Sequence, residues 1–400
     1  MTKTFKTKVN LNPQAVQYCT RAFGVRRCIW NWAVAECLKP RTAGQRRPSN
    51  FALDKLYRQH LKDQKDNCFV WLAEQQVSPM IMQEVLKDVD QSFKQVNGLN
   101  KLRNKKNQGK KNKDKQKLAR VHLKRRKDPK QTFRVPLNTP SSFRIESDHV
   151  VSFTGGASGR FEIRTSESLA FLRKDGVKLC TMTIKCVGGV YWMCLSYEKP
   201  NRVRPVPEAG TRIGIDLGVV KSVCAYDGST VSDVSFNDEH SLRYKQLAYN
   251  LQKRMSRQNP NSNRYAKNLA ILQKRHEKAA RVANHKLEEY TTYLVENYEK
   301  IVVDDYNFPG ALNVADHRKC YQTLNYQFKL RLEQKLEGQG RLGDLTYVEH
   351  KKGVKTTHKC SGCGCDSVKV KRDRQMYCPK CGLQMDRDEN AARNAYKYSK

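Results

Sequence analysis

Two pairs of cysteines near the C-terminal end constrain the fold of this chain more than any other feature of its sequence. They follow the pattern C-x2-C-x14-C-x2-C, formed by Cys360, Cys363, Cys378 and Cys381. An x2 spacing lets one tight turn present two sulfur atoms, and a glycine after each pair suits the backbone of such a turn. Four thiolates fill the tetrahedral shell of Zn²⁺ and leave no position open for a substrate. We therefore predict a structural zinc ribbon; a pair of disulfides or four buried thiols is the weaker alternative.

The other ten cysteines are scattered, mostly through apolar segments. A secreted disulfide framework is denser and shorter, so we expect these residues to be free thiols in a reducing compartment. The sequence has no uninterrupted apolar run of 18 residues, and its first residues lack the apolar region of a secretory signal. We therefore expect no membrane segment.

Charge indicates the kind of partner. The 400 residues include 76 Lys and Arg against 39 Asp and Glu, a formal net charge of +37. Self-repulsion of this size destabilises a compact protein unless a polyanion relieves it, which argues against most ordinary soluble enzymes. We predict nucleic acid as the partner; an acidic membrane surface or a heparin-like polymer is the alternative.

Hydrophobic periodicity divides the chain into regions. Apolar residues at steps of three and four between 14 and 96 predict packed helices, after a short strand at 3–10. Short alternating runs between 133 and 198 predict a small barrel or sandwich. From 211 onwards, apolar strands alternate with long helical segments, which is typical of an α/β domain. The predicted fold class is therefore multidomain α+β.

One strongly basic segment interrupts this pattern. Residues 101–130 contain 15 basic and 2 acidic residues, a local net charge of +13. Such a run is typical of a solvated, disordered linker, and a nuclear localisation signal or an arm that binds nucleic acid is compatible with it as well. The helix predicted around 264–286 is also basic. Two interpretations are about equally well supported: an ordinary amphipathic helix, and a helix whose basic face contacts a nucleic-acid backbone.

Carboxylates stand at the ends of predicted C-terminal strands and at the start of the last helix: Asp216, Asp304, Glu349 and Asp388. Gly214 and Gly218 flank the first of them, and we expect these glycines to let a metal ion or phosphate approach the backbone. Asp386 is expected to be only a helix N-cap. Each acid alone is weak evidence. Together they predict a divalent-metal nuclease, because two Mg²⁺ ions about 4 Å apart need at least three carboxylates to support in-line phosphodiester hydrolysis.

These motifs, in this order, resemble a known family. GIDLG, IVVDDYN, CSGCG…CPKCG and DRDENAARN are similar to the ribbon-interrupted RuvC (RNase H-like) domain of TnpB, of the eukaryotic Fanzor proteins and of compact type V CRISPR effectors. The resemblance implies an RNA-guided DNA endonuclease with one RuvC site. The implied regions are a first wedge strand (1–12), a helical recognition lobe (13–100), a basic arm (101–130), a wedge β-barrel (131–202), the nuclease domain (211–355), the zinc ribbon (356–384) and the last nuclease segment (385–400).

Residue by residue, the resemblance implies that Asp216 and Asp388 are the first and last catalytic carboxylates. The middle position departs from TnpB, which has Glu where this chain has Asp304. Asp is shorter by about 1.5 Å, enough to weaken a site that needs close placement. Fanzor proteins supply another glutamate from a strand about 45 residues later, which corresponds to Glu349. We therefore prefer Glu349 to Asp304 as the third ligand of two Mg²⁺ ions, and a Fanzor to a bacterial TnpB; a Glu349 that only pairs with a lysine is the alternative.

The resemblance also implies partners and a location. The expected partners are a guide RNA from a mobile element and double-stranded target DNA, in a monomeric ribonucleoprotein without membrane contact. We expect a nuclear location, or a cytoplasmic one for a bacterial TnpB. Two other function classes remain open: a non-cleaving RNA-guided DNA-binding protein or repressor in which Asp304 marks a decayed site, and a zinc-ribbon transposase that acts without a guide.

Overall fold

The computed structural model forms two compact units, Met1–Pro200 with Leu269–Gln273, and Asn201–Asn268 with Lys274–Lys400. The residues that it describes are 2–40, 46–63, 67–109, 116–126, 128, 130–137, 142–199, 207–218, 221–304, 324–348, 356–366, 368–370 and 374–398. Among these residues, no helix combines the length and the apolarity needed to cross a lipid bilayer.

The helices of the first unit are Pro13–Leu38 (α1), Asn50–Asp63 (α2), Asn67–Glu74 (α3) and Met80–Asn107 (α4). The side chain of Asn12 accepts a 2.7 Å hydrogen bond from the backbone N–H of Ala15 and so caps the first turn of α1. The helices predicted between 14 and 96 are confirmed. However, α4 continues into the segment predicted as a basic arm, and it ends just before Gly109, whose φ of +74° is the left-handed conformation that favours glycine at helix ends.

The sheet of the first unit contains seven strands: Thr2–Leu11 (β1), Lys130–Pro136 (β2), Phe143–Ser147 (β3), Val150–Thr154 (β4), Arg160–Thr165 (β5), Lys178–Val187 (β6) and Val190–Glu198 (β7). Their order is β2-β6-β7-β1-β5-β4-β3, and all pairs are antiparallel. Thr2 of β1 pairs with Glu198 of β7, and Leu11 pairs with Ile163 of β5. The predicted first strand and the β-rich region are therefore confirmed, and closure into a barrel stays a prediction.

The core of the first unit is centred on Tyr18 of α1. Its ring lies 6.1, 5.6 and 4.9 Å, between centroids, from the rings of Phe133, Phe153 and Phe161 on the sheet. Burial raises the pKa of Tyr18 to about 12, and its hydroxyl accepts a hydrogen bond from the backbone N–H of Ser78. One aromatic side chain thus joins the helical layer to the sheet.

Two of the scattered cysteines are bonded to each other. Cys28 of α1 and Cys68 of α3 form a disulfide. The prediction that all ten are free thiols is wrong for this pair, because packing of the helices brings together two residues that are 40 positions apart in sequence. Cys19 and Cys224 are buried thiols, as predicted.

The second unit contains a five-stranded sheet of Arg212–Leu217 (β8), Val223–Tyr226 (β9), Val231–Val234 (β10), Lys300–Asp304 (β11) and Leu345–Val348 (β12). The order is β10-β9-β8-β11-β12. β11 pairs in parallel with both β8 and β12, whereas β9 and β10 form an antiparallel hairpin beside β8. This mixed sheet confirms the predicted α/β pattern and puts the carboxyl ends of three strands at one edge.

The helices of the second unit are Glu239–Met255 (α5), Asn263–Asn297 (α6), Asn325–Glu337 (α7) and Arg387–Lys397 (α8). The apolar sides of α6 and α7 pack on the core of this sheet through Leu287, Leu294, Phe328 and Leu332. α8 packs on β8, β9 and β11 with small residues such as Ala392. The last helix therefore lies directly on the strands that carry acids at their ends.

Gly214 of β8 makes the close approach of α8 possible. A Cβ atom at this position would lie 2.2 Å from the backbone nitrogen of Tyr396 and 2.4 Å from the carbonyl oxygen of Ala392, and one at Gly218 would lie 2.4 Å from the carbonyl oxygen of Lys221. The prediction that these glycines admit a metal ion or phosphate is therefore wrong, because backbone of the protein itself occupies the space.

A small antiparallel sheet precedes α8. Its strands are Lys369–Val370 (β13), Gln375–Tyr377 (β14) and Gln384–Asp386 (β15), in the order β13-β14-β15. α8 follows β15 without a loop, and the side chain of Asp386 accepts a 2.8 Å hydrogen bond from the backbone N–H of Asp388. Asp386 is thus the N-cap predicted from the sequence.

Candidate functional site

The four cysteines of the two C-x2-C pairs come together. The sulfur atoms of Cys360, Cys363, Cys378 and Cys381 all lie within 4.8 Å of one another. In each pair, the backbone N–H of the following glycine donates a 2.9 Å hydrogen bond to the carbonyl of the first cysteine, and that glycine has a φ above +70°. Four converging sulfur donors fit the tetrahedral shell of Zn²⁺, so the predicted zinc ribbon is supported by geometry as well as by spacing.

Two carboxylates end neighbouring strands of the second unit. Asp304 is the last residue of β11, and it pairs in register with Asp216 of β8. Asp388 lies in the first turn of α8, which packs on β8. Asp304 and Asp388 are buried, and Asp216 is half-buried. The fold thus brings three of the four predicted acids to the carboxyl edge of the sheet, where ligand sites of α/β proteins lie.

The electrostatics of Asp216 indicate surplus negative charge. Burial raises the pKa of Asp216 well above its ordinary value, and the charges of Asp304 and Asp388 raise it further, whereas Arg387 and Arg374 act in the opposite direction. A divalent cation would neutralise this charge, and carboxylate oxygens are ligands that Mg²⁺ prefers. The donor set therefore fits a hard divalent metal.

Glu349, the preferred third ligand, lies outside the described residues. The residue before it, Val348, pairs with Asp304 in the parallel ladder of β11 and β12. Within the part of the chain that the structure describes, only the four cysteines bring three or more ligand atoms within 4.8 Å of one another. Asp216, Asp304 and Asp388 alone therefore do not converge as tightly as the sulfur cluster.

Arg374 is a site residue that sequence reasoning missed. Its guanidinium contacts both carboxylate oxygens of Asp388, at 2.6 Å to Oδ1, and Arg387 lies 3.3 Å from the same Oδ1. The backbone of Arg374 has a φ of +71°, and its carbonyl accepts a 2.9 Å hydrogen bond from the N–H of Arg387. It stands between the cysteine pairs, among other basic residues, so nothing in the sequence singled it out.

Thr356 was also missed. It is buried, and its hydroxyl donates a hydrogen bond to Oδ2 of Asp304. Two asparagines of α8 hold the backbone around it: Asn394 donates 2.7 Å hydrogen bonds to the carbonyls of Thr356 and Lys359, and Asn390 donates at 2.8 Å to Lys359. The segment that leads into the ribbon is thus bonded to both an acid and the last helix.

Three protein families match segments of the chain. A helix-turn-helix domain of IS605 OrfB proteins matches 1–46, the IS605 OrfB family described as a probable transposase matches 193–315, and the Cas12f1-like TNB domain matches 326–395. The matched segments follow one another in order and include the acids and the four cysteines described above.

Curated relatives are distant. The RNA-guided DNA endonuclease InsQ of Escherichia coli strain K12, a provisional name, is 24% identical over 230 residues, which are 54% of this chain and 56% of InsQ. Transposase R186 of Acanthamoeba polyphaga mimivirus, also a provisional name, is 28% identical over 206 residues, 47% of this chain and 39% of its own length. The chain thus spans about half the length of the curated relatives that it matches.

Solved structures that are similar to the chain over its whole length include an RNA-bound CRISPR effector. The cryo-EM structure of CasPhi-2 (Cas12j) bound to crRNA covers 100% of this chain and 98% of its own, with a TM-score of 0.51 and 10% sequence identity. At this identity the likeness concerns the fold alone. It agrees with the predicted multidomain α+β class.

Proposed function

We propose that the chain, a relative of the IS605 transposases and Cas12f-like proteins, is an RNA-guided DNA endonuclease that hydrolyses target DNA at one RuvC-type site. The observation that carries the proposal is the register of Asp216 with Asp304 at the carboxyl edge of the sheet, with Asp388 on the helix packed against it. Buried and half-buried acids at a shared strand edge, in a chain of net charge +37, suit a metal-dependent phosphodiesterase.

The chain's own residues have distinct parts in this proposal. Asp216, Glu349 and Asp388 would hold two Mg²⁺ ions, with Asp304 as the alternative to Glu349. Bound there, the metal would activate the attacking water and stabilise the charge on the leaving oxygen. Arg374 lies against Asp388, where its planar guanidinium can bind and orient the phosphate group to be cut.

Guided cleavage is the direct test. Matched plasmid would be incubated with the protein, guide RNA and Mg²⁺, and compared with the variants Glu349→Ala, Asp304→Ala and Asp216→Ala. We expect Asp216→Ala and Glu349→Ala to lose at least about 100-fold in rate, because each removes a metal ligand. Full activity of Glu349→Ala would overturn its assignment, and loss in Asp304→Ala instead would give the role to Asp304.

A guide RNA and double-stranded DNA are the proposed partners. The net charge of +37 supports a polyanion that stays bound, and base pairing with a guide would supply sequence specificity without base contacts from the protein. Sequencing of RNA that co-purifies tests this. We expect one defined RNA species from the mobile element. Absence of RNA would favour a transposase without a guide, and guided binding without cleavage would favour a repressor.

We further propose the Fanzor branch, a nuclear location and a monomeric ribonucleoprotein. The support is in the sequence: Asp stands at position 304, and a glutamate, Glu349, follows 45 residues later. Imaging of a tagged chain in eukaryotic cells tests the location, and sedimentation of the RNA complex tests the monomer. Exclusion from the nucleus, together with cleavage that depends on Asp304, would favour a TnpB-type protein.

A further inference from the structure

Residues 116–126 of the first unit form no helix or strand, yet helix side chains hold their backbone. We call these residues the arm. Three asparagines of α1 and α4 each bind one arm residue through two hydrogen bonds, one given by the amide nitrogen to the backbone carbonyl and one accepted by the amide oxygen from the backbone N–H. The pairs are Asn107 with Gln116 (2.9 and 2.8 Å), Asn100 with Ala119 (3.0 and 2.7 Å) and Asn31 with Lys124 (2.9 and 2.7 Å). The expectation of a disordered linker is therefore wrong for this part of the basic segment.

The spacing of two asparagines along α4 matches the spacing of their partners along the arm. Asn100 and Asn107 are two helical turns apart, which is about 10.5 Å at 1.5 Å per residue. Their partners are three residues apart, which is about 10 Å in an extended chain. Arg103, on the same face of α4, donates a 2.7 Å hydrogen bond to the carbonyl of Lys117. The spacing of these side chains thus fixes an extended, antiparallel arm.

Because the helices hold the arm by its backbone, its side chains are left for other contacts. Ala119 and Val121 are half-buried, and Val121 packs on the hydrophobic core. Leu118, Arg120 and His122 are exposed. Alternate residues of an extended chain share one side and are about 6.7 Å apart. Arg120 therefore lies in an outward row with Leu118 and His122, and Lys117, at an alternate position, is exposed as well.

A groove of about 1110 Å³ runs beside the arm, lined by residues 116–120, His122 and Arg103. Among the described residues, no acidic side chain lines it. Within the described residues, Lys117 and Arg120 take part in no ion pair, whereas Arg26 of α1 and Arg134 of β2 are paired with acids of α4. Among the described residues, positive charge is thus neutralised by acids between the helices and β2, but not in the groove.

We propose that the arm is a pre-ordered contact for the phosphate backbone of the duplex formed by a guide and its target, with Lys117 and Arg120, which both line the groove, bound to its phosphates. This inference rests on the proposed function, which supplies the duplex. The described residues that line the groove include no Phe, Tyr or Trp, so they offer no platform on which unpaired bases stack, and a base-paired partner fits them better. Asn100 and Asn107 are positioning residues, since they order the arm before the nucleic acid arrives.

Salt-dependent binding tests the phosphate contacts. The purified chain would be titrated with a labelled RNA–DNA duplex of about 20 base pairs at several salt concentrations. Each lost phosphate contact flattens the slope of log K against log salt by about 0.9, so Lys117→Ala/Arg120→Ala should be about 1.8 shallower than wild type. The control Lys55→Ala/Lys62→Ala removes the same charge from exposed positions of α2 and should keep the wild-type slope. Equal slopes for the arm variant and wild type would overturn the proposal.

A second variant tests the positioning of the arm without removing its positive charges. In Asn100→Ala/Asn107→Ala the cations remain, so we expect the wild-type salt slope with weaker binding at every salt concentration. Trypsin should also cut the arm faster, because extended backbone held by side chains resists proteolysis until it is released. The control Asn97→Ala, at an exposed position of α4, should behave as wild type. Unchanged proteolysis would overturn the positioning role.

The binding assay does not require cleavage, so the two proposals can fail separately. If wild type cleaves guided DNA but the arm variant keeps its salt slope, only the arm proposal fails. If wild type neither takes up a guide nor cleaves, while the slopes for the duplex still differ, the proposed function fails and the phosphate contact stands. A loss of slope with single-stranded RNA and none with the duplex would overturn the assignment to a duplex.

Discussion

Asp216 has a raised carboxyl pKa, whereas the pKa values of Asp227 and Asp238 are lowered, and this has a consequence for stability. Its carboxyl pKa is raised first by burial and then by the charges of Asp304 and Asp388. Between the unfolded and the folded pKa, the native state therefore binds more protons than the unfolded chain does. The contribution of Asp216 to stability is thus largest at low pH and is lost as pH rises through the folded pKa.

We expect Asp216→Asn to raise the free energy of unfolding of the metal-free protein at neutral pH, although it removes a proposed ligand. Each unit of raised pKa corresponds to about 1.4 kcal/mol, and the gain should shrink as pH falls towards 4. Urea denaturation in EDTA at several pH values measures this. The control Asp366→Asn, at an exposed site of the ribbon, should change little. A variant less stable than wild type at neutral pH would contradict the prediction.

Gly214 offers a second test at this scale. In Gly214→Ala the new methyl group would meet backbone of α8 at 2.2 Å, and backbone cannot rotate away as a side chain can. We expect a loss of about 3 kcal/mol or more in the stability of the second unit, with loss of cleavage. Gly343→Ala is the control, because nothing lies within 4 Å of its Cβ position. Equal denaturation midpoints for both variants would refute the steric explanation.

The site residues that sequence predicts are those marked by a local pattern. Asp216 ends an apolar strand, and the cysteines repeat a metal-binding spacing, so neighbours in sequence reveal them. Arg374 and Thr356 carry no such mark, because their importance comes from partners that only folding brings near. The prediction that Gly214 admits a metal ion or phosphate was wrong for the same reason. The group that packs against Gly214 is a helix about 180 residues later in the sequence.

At the scale of elements, side chains of the ribbon region contact the acids at the strand edge directly. The ribbon region contributes Thr356 to Asp304 and Arg374 to Asp388, and α8 continues directly from the last ribbon strand. Sequence reasoning predicted both elements and their order but not this connection. It also ended the helix of 80–107 too early, since residues 101–107 are as polar as a linker and become helical while remaining mostly exposed.

Loss of zinc should therefore disturb the positions of Asp304 and Asp388. We expect Cys378→Ser to lower bound zinc from about one per chain to none and to reduce cleavage at least about 10-fold, because Arg374 and Thr356 lose their support. Elemental analysis and a plasmid assay measure the two effects. Cys365→Ser is the control, since Cys365 is absent from the four-sulfur group. Wild-type cleavage by a zinc-free chain would disprove the connection.

At the scale of the whole molecule, the net charge of +37 means that the free chain is electrostatically strained. The proposed RNA would relieve this repulsion and would also stabilise the folded state by mass action, by about 2.7 kcal/mol at 100 times Kd. The overall α+β class and the order of the regions could be predicted from periodicity. The strand order, in which β1 lies inside the sheet, could not be predicted, because it depends on pairing between segments that are distant in sequence.

We expect guide RNA to raise the Tm of the chain by about 5 °C or more in low salt. The shift should shrink in about 0.5 M salt, because screening weakens both self-repulsion and RNA binding. Differential scanning fluorimetry with and without RNA measures it. An unrelated RNA of equal length serves as the control and should give a smaller shift. A Tm that RNA does not change would contradict the prediction.

The position of β1 between β5 and β7 has a consequence for biosynthesis. Residues 2–8 leave the ribosome about 190 residues before their partners at 192–198. At typical translation rates of about 5–20 residues per second, the nascent strand waits about 10–40 s with its apolar side unpaired. A chaperone that acts on the growing chain would therefore have an unpaired apolar strand to bind during this interval. Slower translation near residue 190 should therefore increase aggregation more than the same delay placed near residue 290.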